Sequence, residues 1–233
     1  MGLYVPYAEK RDTGALFHPG PIIDESLVFH APLWHPDLSV SPFTTKDATK
    51  HTCTVTGALW TPQGRTFVAA TPSYISCGNS SLLNFTSGDF TLEMWEKTDS
   101  DGVQVLLVRG IADATGYQFY LNTNRKPLLY TSQSGADQAT YLTNSMSDSV
   151  WHHIIATRVG ALVVIDVDGV TPAQTSGTHI NPTTSTNNLV LGVHNNLTSS
   201  PFSGLQGEVR IYSRALTAGE RIHNYLATRW RYQ

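Results

Sequence analysis

The segment Trp151-His152-His153-Ile154-Ile155-Ala156-Thr157-Arg158, running on through Gly160 to Asp166-Val167-Asp168-Gly169, places an indole, two imidazoles and two carboxylates within twenty residues. Imidazoles and carboxylates ligate metals and carry protons, so such a cluster would suit a metal centre or an acid–base site. Side chains of a strand alternate between faces, however. Trp151, His153, Ile155 and Thr157 share one face and His152, Ile154, Ala156 and Arg158 the other, which keeps the two histidines from chelating one ion. Val163, Ile165 and Val167 alternate with Val164, Asp166 and Asp168 in the same way. Two alternating arms, a three-residue connection containing Gly160 and the turn pair Asp168-Gly169 describe a β-hairpin with Trp151 as a core anchor.

Hydrolysis of a glycoside needs two carboxylates facing one substrate. Glu93 and Glu96 are the close acidic pair on a strong strand pattern, and their odd spacing sends them to opposite faces. No phosphate-binding Gly-rich loop and no nucleophile elbow occurs, and His30, His35, His51, His179 and His194 are scattered. The sequence therefore predicts a non-enzyme without metal or cofactor. Two polar segments suit binding instead: Ser132 to Gln138 leading to Tyr141, and Gly192 to Ser200. A sugar presents hydroxyls at its edge and C–H groups on its face, matching amides and hydroxyls beside an aromatic ring. Asp137, Tyr141, His194, Asn195 and Asn196 are the candidate ligand-binding residues.

The elements that must position these residues are strands. The chain holds 28 Thr and 20 Ser but only five Lys and six Glu, a surface suited to pleated sheet rather than helix. Short alternating runs at 27–31, 52–59, 65–68, 74–77, 90–97, 103–109, 117–122, 126–131, 151–158, 162–168, 188–193 and 206–213 predict an all-β sandwich or barrel of antiparallel sheets. Thr217-Ala218-Gly219-Glu220 has the form of a capping box and opens a short C-terminal helix. Residues 1–25, with Pro6, Pro19 and Pro21, read as an extended N-terminal arm, and residues 26–233 as one domain. Leu3, Tyr4, Tyr7 and Phe17 in the arm, with Trp230 and Tyr232 at the other end, are the candidate assembly contacts, for a protein partner or for self-association. A net charge of −3 argues against nucleic acid, and no apolar run is long enough for a membrane span or signal peptide. Cys53 and Cys77 lie in neighbouring predicted strands, either bridged or free.

Four segments carry a family resemblance: Ser81 to Trp95, Trp151-His152-His153 with its hairpin, Phe202-Ser203-Gly204, and Glu208-Val209-Arg210-Ile211-Tyr212 through Thr217. In order and spacing the chain resembles the laminin G-like, concanavalin A-like jelly-roll family of bacterial and phage type. The resemblance implies a two-sheet antiparallel jelly-roll sandwich that buries the Trp95 and Trp151 faces. It also departs from the pattern: the loop Val68 to Ser73 lacks the carboxylates that members associate with calcium, and Gly207 stands where an Asp commonly precedes the Glu-Val-Arg-Ile-Tyr segment. Calcium needs several oxygen ligands, so the metal site is not carried over. The expected function is a non-catalytic surface module, either a structural or decoration protein of a virion or extracellular particle docked through its arm, or a glycan-binding lectin-like module.

Overall fold

The computed structural model describes residues 20–233. Its strands in chain order begin with β1 (Leu27–Pro32), β2 (Phe43–Thr44), β3 (Thr52–Thr56), β4 (Leu59–Thr61), β5 (Gly64–Phe67) and β6 (Tyr74–Ser76). There follow β7 (Phe90–Lys97), β8 (Gln104–Ile111), β9 (Thr115–Asn122), β10 (Lys126–Gln133) and β11 (Ala136–Tyr141). The last are β12 (His152–Val159), β13 (Leu162–Val167), β14 (Val190–Leu191) and β15 (Gly204–Tyr212), before helix α1 (Ala218–Thr228). Among the described residues they form two antiparallel sheets. One has the order β13-β12-β7-β15-β5-β4, with β1 also paired to β15; the other has the order β11-β10-β9-β8-β14-β6-β3-β2.

Alternation decides what lies between the sheets. Phe90, Leu92 and Met94 of β7, Ile154 and Ala156 of β12, Val163, Ile165 and Val167 of β13, and Val209 and Ile211 of β15 meet Leu107, Tyr117, Phe119, Leu121 and Leu129 of the facing sheet. The hairpin faces are those that the period of two predicts. The first turn is tighter than expected, because Val159 pairs with Leu162 and only Gly160-Ala161 intervene, with Gly160 at φ 56°. At the second turn Asp168 (φ 52°) and Gly169 (φ 79°) both adopt the left-handed conformation of a primed turn, and Val167 bridges Val170.

The other side of β7 corrects an expectation. Trp95 is fully buried, yet it points away from the second sheet and lies beneath α1, donating from Nε1 to Thr228 Oγ1 at 2.8 Å. Trp151 is half-buried on that same side. Both rings pack on Tyr232, with centroids at 4.4 and 4.8 Å, so the C-terminal segment and not the opposing sheet covers the two indoles. Tyr232 is thereby 7% exposed and serves the fold, which removes it from the expected assembly contacts. Gly207 explains its seat: a Cβ there would lie 2.4 Å from the Tyr232 ring, so the ring occupies the space of any side chain at this position. Trp230 remains 45% exposed, with Nε1 donating to Ala227 O at 3.0 Å.

Thr217 and Glu220 close the capping box at the start of α1. The helix also holds the chain before β1. Ile22 N–H donates to Asn224 Oδ1 at 2.8 Å, the Tyr212 hydroxyl donates to Ile22 O at 2.9 Å, and Arg214 pairs with Asp24 at 2.7 Å. Leu3, Tyr4, Tyr7 and Phe17 lie outside the described residues. Cys53 of β3 and Cys77, which directly follows β6, are joined by a disulfide.

Candidate ligand-binding face

The chemistry-bearing hairpin is used structurally. Asp168 accepts the His153 N–H at 2.9 Å and pairs with His152 Nδ1 at 2.7 Å, which fixes the turn to the first arm. His153 Nε2 pairs with Glu93 Oε1 at 2.9 Å, and Asn224 donates to Glu93 Oε2 at 2.7 Å. Arg210 joins Glu93 to Glu208, and His30 pairs with Glu208 at 2.7 Å. Glu93 and His153 lie beneath α1, through Asn224 and Tyr225. Glu96 faces the opposite way and is also buried, which pushes its carboxyl well above the carboxylate range, helped by the Asp168 charge. The two glutamates thus have no common substrate-facing side.

The network gives the fold an acid limit. Burial alone would raise the Glu208 carboxyl, but the Arg210 charge and the His30 hydrogen bond more than offset this and bring it from 4.5 down to about 2. A carboxyl lowered on folding stabilises above its unfolded value and loses that contribution as pH falls towards the folded one. Unfolding free energy is therefore expected to drop by about 3 kcal/mol between pH 5 and pH 2 from this group. Urea titrations across that window check it; a flat profile would mean that Glu208 is not held as a buried anion.

The outer face of the eight-stranded sheet is different. Since Tyr117, Phe119, Leu121 and Leu129 point inward, Gln118, Tyr120, Leu128, Tyr130 and Ser132 point outward. The segment expected as a polar loop at 132–138 is mostly strand. Only Ser134-Gly135 separates β10 from β11, because the ladder continues with Ser132 opposite Asp137, Tyr130 opposite Ala139 and Leu128 opposite Tyr141. Asp137 and Tyr141 consequently share the outward face with Tyr130 and Tyr120. Tyr141 is 38% exposed, Tyr130 is half-buried, and Tyr120 meets Tyr130 edge-on at 5.9 Å. The Tyr120 hydroxyl donates to Gln118 Oε1 at 2.7 Å, and Gln118 donates to Ser132 Oγ at 3.2 Å. Asp137 accepts the Asp113 N–H at 2.8 Å, which steadies the carboxylate at the rim.

The second expected segment leads from β14 onto this face, where Val193 packs with Val105, Val108 and Tyr120. Burial lowers the His194 imidazole, against the opposing influence of Asn195 and the Asp137 charge. Asn195 lines a polar hollow of about 290 Å³ with Ser76, Thr186, Asn187, Asn188 and Leu197. Asn196 instead accepts the N–H groups of Thr198 and Ser199 at 3.0 and 2.9 Å and builds its own loop. Asp137 and Tyr141 thus share one face of the sheet, and His194 and Asn195 lie in a loop that leads onto it, while Asn196 shapes that loop. Tyr130, Tyr120 and Asn188 were not singled out from the sequence; strand register, which no local pattern gives, places the tyrosines beside Tyr141.

Other clusters serve the fold. A larger hollow of about 430 Å³ beside β2 is lined by Thr44, Thr45, Lys46, Asp47 and Lys50. Its Asp47 accepts backbone N–H groups of His30, Thr49 and Lys50, and Lys46 pairs with Asp37. His179 sits between the Thr131 and Thr140 hydroxyls at 2.8 and 2.9 Å, and burial lowers it to about 4. Among the described residues, no three of His, Cys, Asp and Glu are grouped to hold a metal ion, and no helix is long and apolar enough to cross a membrane.

Known structures share this architecture. The binding domain of Paraclostridial Mosquitocidal Protein 1 superposes with a TM-score of 0.65 at 15% identity, over 86% of this chain and 52% of that one. The botulinum neurotoxin serotype G binding domain gives 0.67 at 12%, over 85% and 50%, so the chain spans about half the length of these toxin domains. Domain 4 of AbnA, an extracellular arabinanase from Geobacillus stearothermophilus solved with arabinotriose, gives 0.63 at 20% identity over 87% of this chain and 98% of that domain. At such identities the likeness establishes the fold alone. No curated protein sequence matches the chain. A family model described as the concanavalin A-like lectin/glucanases superfamily matches residues 70–220, which span both the outward tyrosines and the polar hollow, and the chain belongs to that superfamily.

Proposed function

We propose that the chain is a non-catalytic glycan-binding module that engages sugar on the outer face of its eight-stranded sheet. The observation that carries this reading is the sharing of one outward face by Tyr130, Tyr141 and Asp137, set by strand register, with the His194–Asn195 loop on the same side of the sheet. Half-exposed phenol rings offer platforms for sugar C–H faces, and the half-buried Asp137 carboxylate and Asn195 amide offer partners for the ring hydroxyls. The arabinotriose complex of the similar arabinanase domain, nearly all of which this chain matches, supports the choice of ligand class.

Tyr130→Ala is expected to weaken binding of the best sugar found on a glycan array about tenfold, by the scale of one aromatic contact at a binding centre. Titration calorimetry checks the affinity and urea unfolding checks the fold. Unchanged affinity in both Tyr130→Ala and Tyr141→Ala would move the site elsewhere.

A second reading, attachment to a virion or extracellular particle through the N-terminal arm, is favoured by the way Ile22 and Asp24 are tied to Asn224 and Arg214. A partner holding residues 1–19 would pull on an anchored segment. Light scattering of the full chain and of a chain starting at Ser26 separates self-assembly through the arm from sugar binding by the sheet.

A further inference from the structure

We infer that the polar hollow beside β6 and β14 is a second subsite for the same ligand, and that the ligand is therefore a neutral oligosaccharide chain rather than a single terminal sugar. This rests on the glycan-binding reading above and adds to it a direction and a length.

The direction comes from strand register. Ser76 of β6 pairs with Val190 of β14, Val190 with Val108 of β8, Val108 with Gln118 of β9, and Gln118 with Tyr130 of β10. Ser76 and Tyr130 therefore lie in one row across the sheet, four strand steps apart, or about 19 Å at the usual spacing. That span exceeds one sugar ring. The row residues between them, Val190, Val108 and Gln118, are buried, and the 194–197 turn, in which Leu197 N–H donates to His194 O at 2.8 Å, lines the hollow through Asn195 and Leu197, so a ligand reaching from the tyrosines to the hollow would have to cross this covered stretch.

The hollow is a built feature. Five of its seven lining residues carry an amide or a hydroxyl, beside Val190 and Leu197, with Asn188 donating to Ser76 Oγ at 3.0 Å and with Asn188 and Thr186 open to solvent. Its far wall is set from within the protein by Arg109, whose side chain is wholly buried. That guanidinium donates to the carbonyls of Asn187 (2.7 Å), Ser80 (2.9 Å), Asn79 (3.2 Å) and Ser185 (3.2 Å) and to Asn84 Oδ1 (3.2 Å). Five acceptors on one planar fork fix the 185–187 backbone before any ligand arrives. The hollow lining carries no ionisable side chain, which suits hydroxyls rather than carboxylates or phosphates.

The test uses the full chain and size-graded neutral ladders of gluco-, manno-, xylo- and arabino-oligosaccharides, from monosaccharide to hexasaccharide, with affinity read by calorimetry. The expected result is a gain of tenfold or more between the disaccharide and the hexasaccharide of one ladder. Asn188→Ala, at an exposed position, should erase most of that gain while leaving disaccharide affinity and the unfolding midpoint unchanged. A ladder in which the shortest binding sugar is already as tight as the hexasaccharide, or a gain that Asn188→Ala leaves intact, overturns the second subsite while the glycan-binding reading stands. Binding by none of the ladders overturns the neutral-chain assignment; if a broad array of charged and branched glycans is also blank, the glycan-binding reading falls with it.

Discussion

Arg210→Met should lower the unfolding free energy by about 3–5 kcal/mol, the cost of removing one partner from a buried ion pair. Arg210 is 1% exposed near the C-terminal end of β15, and its guanidinium bridges Glu93 and Glu208, themselves 1% and 5% exposed. Met roughly fills the volume of the aliphatic stem, so the loss comes mainly from two carboxylates left without their cation. They must then either stay charged in a poorly solvated layer or take up protons at neutral pH. The triple variant Arg210→Met, Glu93→Gln, Glu208→Gln should recover much of the loss, because amides need no counter-charge. Urea unfolding of the wild type, single and triple variants reads both effects. A loss below about 1 kcal/mol in the single variant would place this network among weakly contributing surface pairs and would mean that α1 does not seal it.

That network marks where the sequence stopped being readable. Glu208-Val209-Arg210-Ile211-Tyr212 alternates, which places Val209 and Ile211 in the core, and an alternating strand with charged outer positions reads as one wet face. Nothing in the local pattern says that α1 lies over that face. The available signal was longer in range: Trp95 on the charged side of β7, and a capped amphipathic helix at the C-terminus needing an apolar surface. The same missing information misassigned Trp151 and Tyr232, because alternation tells which residues share a face and not what covers it. The strand β11 was missed for a different reason. Ala136-Asp137-Gln138-Ala139-Thr140-Tyr141 is an edge strand with small and polar residues, and of these only Thr140 is buried. The Asp168-Gly169 turn, the faces of the hairpin and the Thr217 cap were legible because each depends on residues within a few positions of one another. The tyrosine patch was half-legible: Tyr141 and Asp137 were chosen for their chemistry, but only the register of β10 with β11 brings Tyr130 beside them.

Replacing both Cys53 and Cys77 with Ser should cost about 3 kcal/mol, from the entropy restored to an unfolded chain when a closed loop of this size is released. The two residues are 24 positions apart and wholly buried, and they join β3 to β6 near the edge of the eight-stranded sheet. For a chain of this length the loss corresponds to a melting temperature lower by roughly 10 °C. The loss should also be local. Cys77 follows Ser76, which lines the polar hollow, and Cys77 N–H donates to Leu189 O at 2.8 Å, next to Asn188. Below its melting temperature the Ser/Ser variant should therefore bind long sugar chains less well than the wild type, while its contacts at Tyr130 and Tyr141 persist. Thermal unfolding with and without a reductant gives the first quantity and the oligosaccharide ladder gives the second. A reductant that leaves the melting curve of the native protein unmoved, together with two thiols titrating on the unfolded chain, would show that the bridge is not formed. A bridge that is formed and stabilising fits a domain that works in an oxidising compartment, where a disulfide persists.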